Sequence, residues 1–229
     1  MASLFINGSI LTRSEAGLAD QPTFAESMFV KDGIIQAIGT KEELSAKFSG
    51  PDVAVQDLAG KTILPGFIDG HMHLLLLGQS LRKVGLEHCK NLDDILNTLR
   101  DYAKSNPDVP RIMAKGWMHS MTPDGVTAKL LDEIDSRPIY VDTKDMHSTW
   151  CNSAGLEEMK VADMADPPGG IIERDEQGRP SGVLSEGSVL SIVWPHQASV
   201  ATNEDRIECM LAAFEAYNSS GYTGLIEMA

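Results

Sequence analysis

Ile63-Leu64-Pro65-Gly66-Phe67-Ile68-Asp69-Gly70-His71-Met72-His73 is the stretch on which the reading of this chain turns. A Pro-Gly turn is followed by the apolar β-type pair Phe67-Ile68, and the run delivers two imidazoles at i and i+2. Alternate residues of an extended strand share a face, so two neutral ring nitrogens can close on one cation. Spacing alone fits equally well a pair of hydrogen-bonded histidines near a strand end.

Upstream, residues 1 to about 62 read as short strands joined by tight turns. Asn7-Gly8, between Leu4-Phe5-Ile6 and Ile10-Leu11-Thr12, and Asp32-Gly33, between Met28-Phe29-Val30 and Ile34-Ile35, are both hairpin signals. Thr40-Lys41-Glu42-Glu43 is a capping box that opens a helix through Phe48. Val53-Ala54-Val55 and Lys61-Thr62-Ile63-Leu64 flank a further turn at Ala59-Gly60. The strands are too few and the apolar surface too small for an independent core, so this β-rich module is expected to pack on something else.

Downstream the rhythm changes to helix-length segments alternating with apolar strands, the pattern of βα units and a parallel sheet. Asn91 caps a helix whose Leu92, Ile95, Leu96, Leu99 and Tyr102 or Ala103 share one face and which ends before Pro107. Residues 111–114 form a second strand, Thr127 starts a short helix with Leu130, Leu131 and Ile134 inward, and residues 138–143 form a third strand with a loop at 145–155 above it. Ile171–Arg174 and the return through Pro180 make a hairpin, and Ser181–Glu186 is the fourth strand. Thr202 to Asp205 caps an amphipathic helix carrying Ile207, Met210, Leu211, Phe214 and Tyr217, and residues 221–227 begin a fifth strand.

Composition limits the function classes. The 229 residues carry 19 Lys and Arg against 33 Asp and Glu, a formal charge of −14 that repels phosphate backbones and anionic membranes. Nucleic acid and membrane partners are therefore not expected. Cys89, Cys151 and Cys209 show no Cys-x-x-Cys spacing, which argues against a disulfide framework and for a reducing, cytoplasmic setting. The start of the chain lacks a basic and apolar leader pattern, and no run is long enough to cross a bilayer.

Several motifs, in order, resemble the amidohydrolase superfamily, and within it the family-3 branch that includes N-substituted formamide deformylase-like proteins. They are Pro65-Gly66-Phe67-Ile68-Asp69-Gly70-His71-Met72-His73, then Gly116-Trp117, Asp145-Met146-His147-Ser148 with Asn152-Ser153-Ala154, and the run from Pro168-Gly169-Gly170 through Gly178-Arg179-Pro180 to Leu184-Ser185-Glu186. The resemblance implies an α/β fold: the N-terminal part of a (β/α)8 metal-dependent hydrolase barrel, strands one to five over residues 63–229, preceded by residues 1–62 as part of a composite β-sandwich. It implies hydrolysis of carbon–nitrogen bonds in non-peptide amides of small-molecule substrates. The cofactor would be one or two divalent ions, zinc foremost.

Carried onto this chain, the resemblance makes His71, His73 and Glu186 metal ligands. It gives His147 the role of polarising or binding substrate, lines the pocket with Trp117 and Trp150, and puts Asp69 behind the metal ligands. In the superfamily a strand-four lysine is often carboxylated to bridge the metals, but no lysine follows Lys160, so Glu186 is the available anionic ligand. His119 stands where an acidic residue is expected after Gly-Trp. Bland alternatives hold for each: a solvated Glu186, a His147 bonded to loop backbone, tryptophans that only pack, and an Asn152 that caps the next helix. Five strands do not close an eight-stranded barrel, so a missing C-terminal half or a homo-oligomer is expected, with an inactive binding or assembly module as the competing function.

Overall fold

The structure is a computed structural model that describes residues 1–12 and 22–228. Its contacts divide the chain into two compact units, Met1–Gly70 with Gly221–Ile226, and His71–Ser220 with the residues from Glu227 onward.

The first unit contains β1 (Ala2–Ile6), β2 (Ser9–Thr12), β3 (Thr23–Ala25), β4 (Ser27–Lys31), β5 (Ile34–Gly39), α1 (Lys41–Phe48), β6 (Val53–Asp57) and β7 (Thr62–Ile63). They form a four-stranded sheet in the order β5-β4-β1-β6 and a three-stranded sheet in the order β3-β2-β7. Asp32-Gly33 makes the expected hairpin between β4 and β5, both residues in the left-handed region that such a turn demands. Asn7-Gly8 does not. β1 pairs with β4 and β6 while β2 pairs with β3 and β7, so this turn passes the chain from one sheet to the other. The capping box at Thr40 and Glu43 is made as expected. The core is small: Leu4, Phe29 and Leu44, with Phe48 stacked on Phe29 at 4.1 Å.

β8 (Phe67–Met72) carries the histidine motif and leads into α2 (Leu74–Arg82), followed by β9 (Val84–Gly85), α3 (Leu92–Ser105), β10 (Ile112–Trp117), α4 (Ala128–Asp132), β11 (Ile139–Thr143), β12 (Ser148–Cys151) and α5 (Ser153–Glu158). After these come β13 (Gly170–Arg174), β14 (Pro180–Glu186), a π-helical turn at Val189–Val193, α6 (Trp194–Val200), α7 (Asn203–Ser219) and β15 (Tyr222–Glu227). β9, β10 and β11 run parallel, as the βα rhythm requires. Ile95, Leu99 and Ala103 of α3 face the buried Ile112, Ala114, Ile139 and Val141 in the main core. Asn91 accepts from Asp94 N at 2.9 Å, and Asn152 caps α5 by accepting from Gly155 N.

Two expectations change here. Residues 145–155 are not a loop: Ser148-Thr149-Trp150-Cys151 is β-branched and aromatic, every one of its residues is buried, and it returns as a strand antiparallel to β11. β14 consequently pairs with β12 and β13, antiparallel to both, so the fourth strand is separated from the third by an inserted hairpin arm and the sheet is mixed. β8 and β15 form a two-stranded sheet of their own.

α2 crosses α7 where Gly78 has no side chain. A Cβ there would stand 2.0 Å from the Cys209 carbonyl oxygen, a backbone atom that cannot swing away. Gly78→Ala is expected to cost about 3 kcal/mol by forcing the helices apart, and a denaturant midpoint equal to the parent's would refute this close approach. The face of α7 that meets α2 holds Cys209 and Ala213, whereas Ile207 and Leu211, at 57% and 60% exposure, point outward. The apolar stripe of this amphipathic helix is thus largely solvent-facing among the described residues.

Candidate active site

His71 is the last residue but one of β8, and His73, with φ −119° and ψ 83°, is the residue before α2. Their rings lie 5.5 Å apart, centre to centre, and perpendicular. Zinc–nitrogen bonds near 2 Å put the centres of two rings sharing one ion roughly 5 Å apart, so this donor pair fits a divalent cation. His73 supplies no side-chain cap to α2. Glu227 at the end of β15 does so instead: its Oε2 accepts from Leu74 N at 2.7 Å, and its Oε1 lies 3.7 Å from His73 Nδ1. Glu227, the last residue of the predicted fifth strand, is the carboxylate set beside the pair. Asp69 lies two residues before His71 on β8.

Glu186 is not gathered with the two histidines. Among the described residues no group of three or more His, Cys, Asp and Glu side chains is arranged to hold a metal ion. The Glu186 carboxylate meets His147 instead, Oε2 to Nδ1 at 3.0 Å, while Glu186 N donates to the His147 carbonyl at 2.7 Å. Both sides of this pair have costly backbone: Glu186 at φ 56° and Met146 at φ 63°, in the left-handed region that non-glycine residues occupy only when their surroundings hold them there. Asp145 supplies part of that hold, since its Oδ1 accepts from Thr143 Oγ1 at 2.7 Å and His147 N at 3.0 Å. The hydrogen bond to the Glu186 carboxylate raises the His147 pKa above the usual histidine range, and the Thr143 hydroxyl bond lowers that of Asp145.

Trp117 and Trp150 are corrected from pocket lining to core. They are 1% and 0% exposed, pack 5.6 Å apart, and spend their indole N–H groups on Thr122 Oγ1 and the Thr127 carbonyl. Burying both indoles in the layer between α3 and the sheet satisfies them without a ligand.

His73 and Glu227 belong to the wall of a cavity of about 500 Å³. Deeper in it, Lys83 and Asp142 form an ion pair at 2.5 Å, with the second Asp142 oxygen accepting from Thr149 Oγ1 at 2.8 Å. Sequence patterning missed this pair because Lys83 precedes a two-residue strand and Asp142 reads as an ordinary strand residue.

Residues 54–229 match the family model described as the amidohydrolase family. The chain belongs to the amidohydrolase family. This amidohydrolase chain is 30% identical over 231 residues to the putative amidohydrolase YtcJ of Bacillus subtilis, covering 98% of its own length and 42% of that protein. It is 28% identical over 212 residues to the N-substituted formamide deformylase of Arthrobacter pascens, covering 88% and 38% respectively. A crystal structure of an uncharacterized metal-dependent hydrolase from Pyrococcus horikoshii superposes on the whole chain with a TM-score of 0.76 at 24% identity, using 43% of that structure. The amidohydrolase chain thus spans about two fifths of the length of the curated relatives it matches.

Proposed function

We propose that these residues form part of a metal-dependent hydrolase that cleaves carbon–nitrogen bonds in small, non-peptide amides. The observation that carries the reading is the His71–His73 pair, its rings 5.5 Å apart at the end of β8, inside a motif of the family to which the chain belongs. His71 and His73 would hold one of one or two divalent ions, zinc by its preference for imidazole, and Glu227 would keep the His73 ring in place. When bound, such an ion lowers the pKa of water toward neutrality and polarises a carbonyl. His147 Nδ1 and Glu186 Oε2 share a proton at the rim, where the pair can steady a polar substrate group, and Glu186 is the candidate for a further ligand oxygen. Asp69 would support His71 from behind.

The same reading makes residues 63–229 the first five strands of a (β/α)8 barrel and residues 1–62 part of a composite β-sandwich. It also places the protein in the cytoplasm, in keeping with three buried free thiols. A non-catalytic binding or assembly module is the competing reading, and the lack of a third gathered ligand among the described residues favours it. The discriminating experiment takes the 229-residue chain and the product of the native reading frame that encodes it. Each is stripped with chelator, reloaded with zinc or manganese, and assayed on formamides and simple amides. Turnover lost on chelation and restored by metal is expected from the product of the native reading frame. Metal-free turnover, or no metal bound by either protein, would overturn the hydrolase reading.

A further inference from the structure

The wall of the 500 Å³ cavity, which lies within the unit His71–Ser220 plus Glu227 onward, sets Glu87, Asp142 and Glu227 against Lys83, Lys115 and Lys144. Most of these groups are engaged with one another or with the chain. Lys83 and Asp142 hold each other at 2.5 Å, with the second Asp142 oxygen on Thr149. Glu227 holds Leu74 N, and Lys115 donates to Ser80 Oγ at 2.9 Å. Glu87 differs. Among the described residues its carboxylate accepts no hydrogen bond, and Lys115 Nζ stays 3.8 Å away.

That carboxylate is nevertheless seated. Leu86 is fully buried and its N–H donates to the Lys115 carbonyl at 2.9 Å, which pins the residue before Glu87 to β10. Gly85, opposite Lys115 on β9, and Gly116 on β10 leave room for the side chain. A Cβ on Gly85 would stand 2.6 Å from Glu87 Oε2, and one on Gly116 would stand 3.0 Å from its Cδ. Gly116 is also the bulge where the β10–β11 pairing skips a residue, at φ 91°. It is the glycine of the Gly-Trp motif, to which the hydrolase reading gives no role. Two glycines on neighbouring strands thus clear a place for one carboxylate, on the same cavity wall as His73. A glutamate that merely meets solvent needs no such place.

An ionised carboxylate only accepts, so the group it receives must donate. The charges of the wall balance, which favours a donor that is itself uncharged: a cation arriving at Glu87 also meets Lys115 and Lys144. Leu76, Met146 and Trp194 give the cavity an apolar side, and its volume suits one small molecule. We propose that Glu87 selects what this cavity binds: a small uncharged molecule with an apolar arm and an N–H donor, the N–H received by the carboxylate on its seat of Gly85 and Gly116. That the donor is an amide N–H and not a hydroxyl rests on the hydrolase reading; that Glu87 takes an uncharged donor does not.

The test titrates the metal-free 229-residue chain by NMR with phenylacetamide and with methyl phenylacetate, which is similar in shape and has no N–H. The amide is expected to bind at least about tenfold tighter, the usual worth of a hydrogen bond to a charged group. Glu87→Leu should reduce that preference to less than about twofold. Gly85→Ala keeps Glu87 and its charge, but the new Cβ displaces the flexible end of the Glu87 side chain, so most of the preference should go here too. A merely solvated glutamate would not respond to that change. Once Glu87 is Leu, adding Gly85→Ala should have no further effect on the preference, because Gly85 acts through Glu87. Equal affinities for amide and ester in the parent chain, no binding of either, or a preference that survives Glu87→Leu or Gly85→Ala overturns the proposal. Tighter binding of 2-phenylethylammonium than of phenylacetamide overturns it as well, since the ligand would then be a cation. Metal-dependent hydrolysis is not measured in this experiment, so either idea can fail while the other stands.

Discussion

Alanine at both His71 and His73 is expected to remove divalent-metal binding from this protein and, with it, metal-dependent hydrolysis by the product of the native reading frame, while the fold stays intact. Removing an outer-shell partner of a metal ligand already costs 10–100-fold in affinity or activity, so removal of a direct ligand costs more than about a hundredfold and removal of two costs more again. The fold should be indifferent because both histidines are exposed and neither belongs to a buried apolar cluster. Metal content after dialysis against a fixed free-zinc buffer, read together with circular dichroism, separates the two effects. Full metal stoichiometry in a well-folded double variant would sink the assignment. Glu227→Gln makes a graded companion: it keeps the shape beside His73 but not the charge, and a loss of about 10–100-fold in metal affinity is the expected size for a group that only orients a ligand. Glu186→Gln separates the remaining readings, because a ligand oxygen should show in metal affinity whereas a partner of His147 alone should leave it unchanged.

What could be read beforehand was whatever local chemistry decides. Thr40, Asn91, Asn152 and Thr202 each accept a backbone N–H at a helix start, because a short polar side chain there satisfies a donor that the helix leaves unpaired. The i, i+2 histidines came close together for the same local reason. Pairing partners were not legible. Asn7-Gly8 has the chemistry of a tight turn, and Asn7 does take φ 56°, but whether a turn joins neighbours or hands the chain to another sheet depends on strands far away in sequence. β12 was hidden because four residues are too few for a period to show, and the Asp145 turn ahead of it resembles a loop. The tryptophans misled for a different reason: an aromatic at a strand end satisfies a pocket and a core equally well, and only the partners of the indole N–H groups, Thr122 and Thr127, decide. Glu227 and the Lys83–Asp142 pair are long-range meetings, separated by 153 residues from Leu74 and by 59 from each other, with no signature in either local stretch.

Glu158 carries the largest expected stability effect that a single charge should have in this chain. Its carboxylate at the end of α5 receives the Nε–Nη2 edge of the Arg111 guanidinium, with Nε 2.9 Å from each oxygen, the Tyr140 hydroxyl at 2.7 Å and His196 Nε2 at 3.0 Å. The Arg111 hydrogen bonds, ahead of those from Tyr140 and His196, hold its pKa down at about 2 against the usual 4.5, in spite of burial pulling the other way. Tyr140, pushed well up chiefly by burial, remains a neutral donor to it throughout. A carboxylate with a depressed folded-state pKa contributes stability that is fully present above its unfolded value and is lost as pH falls through the folded one. Here that window runs from about 4.5 down to about 2. A shift of that size corresponds to about 3 kcal/mol at most, and solvent reaching a carboxylate that is 24% exposed trims it to about 2 kcal/mol. Glu158→Ala should cost more at neutral pH, about 3–5 kcal/mol, because it leaves the Arg111 guanidinium without its carboxylate and the buried Tyr140 hydroxyl with only the Gly155 carbonyl at 3.4 Å. Glu158→Gln keeps an acceptor in place and should fall between the two. Urea midpoints of the parent and of Glu158→Gln, measured at pH 7, at about pH 4 and at about pH 3, should converge as the parent's carboxylate takes up its proton. A gap that stays constant across that range would mean that Glu158 holds β10, β11 and α6 together by shape and not by charge.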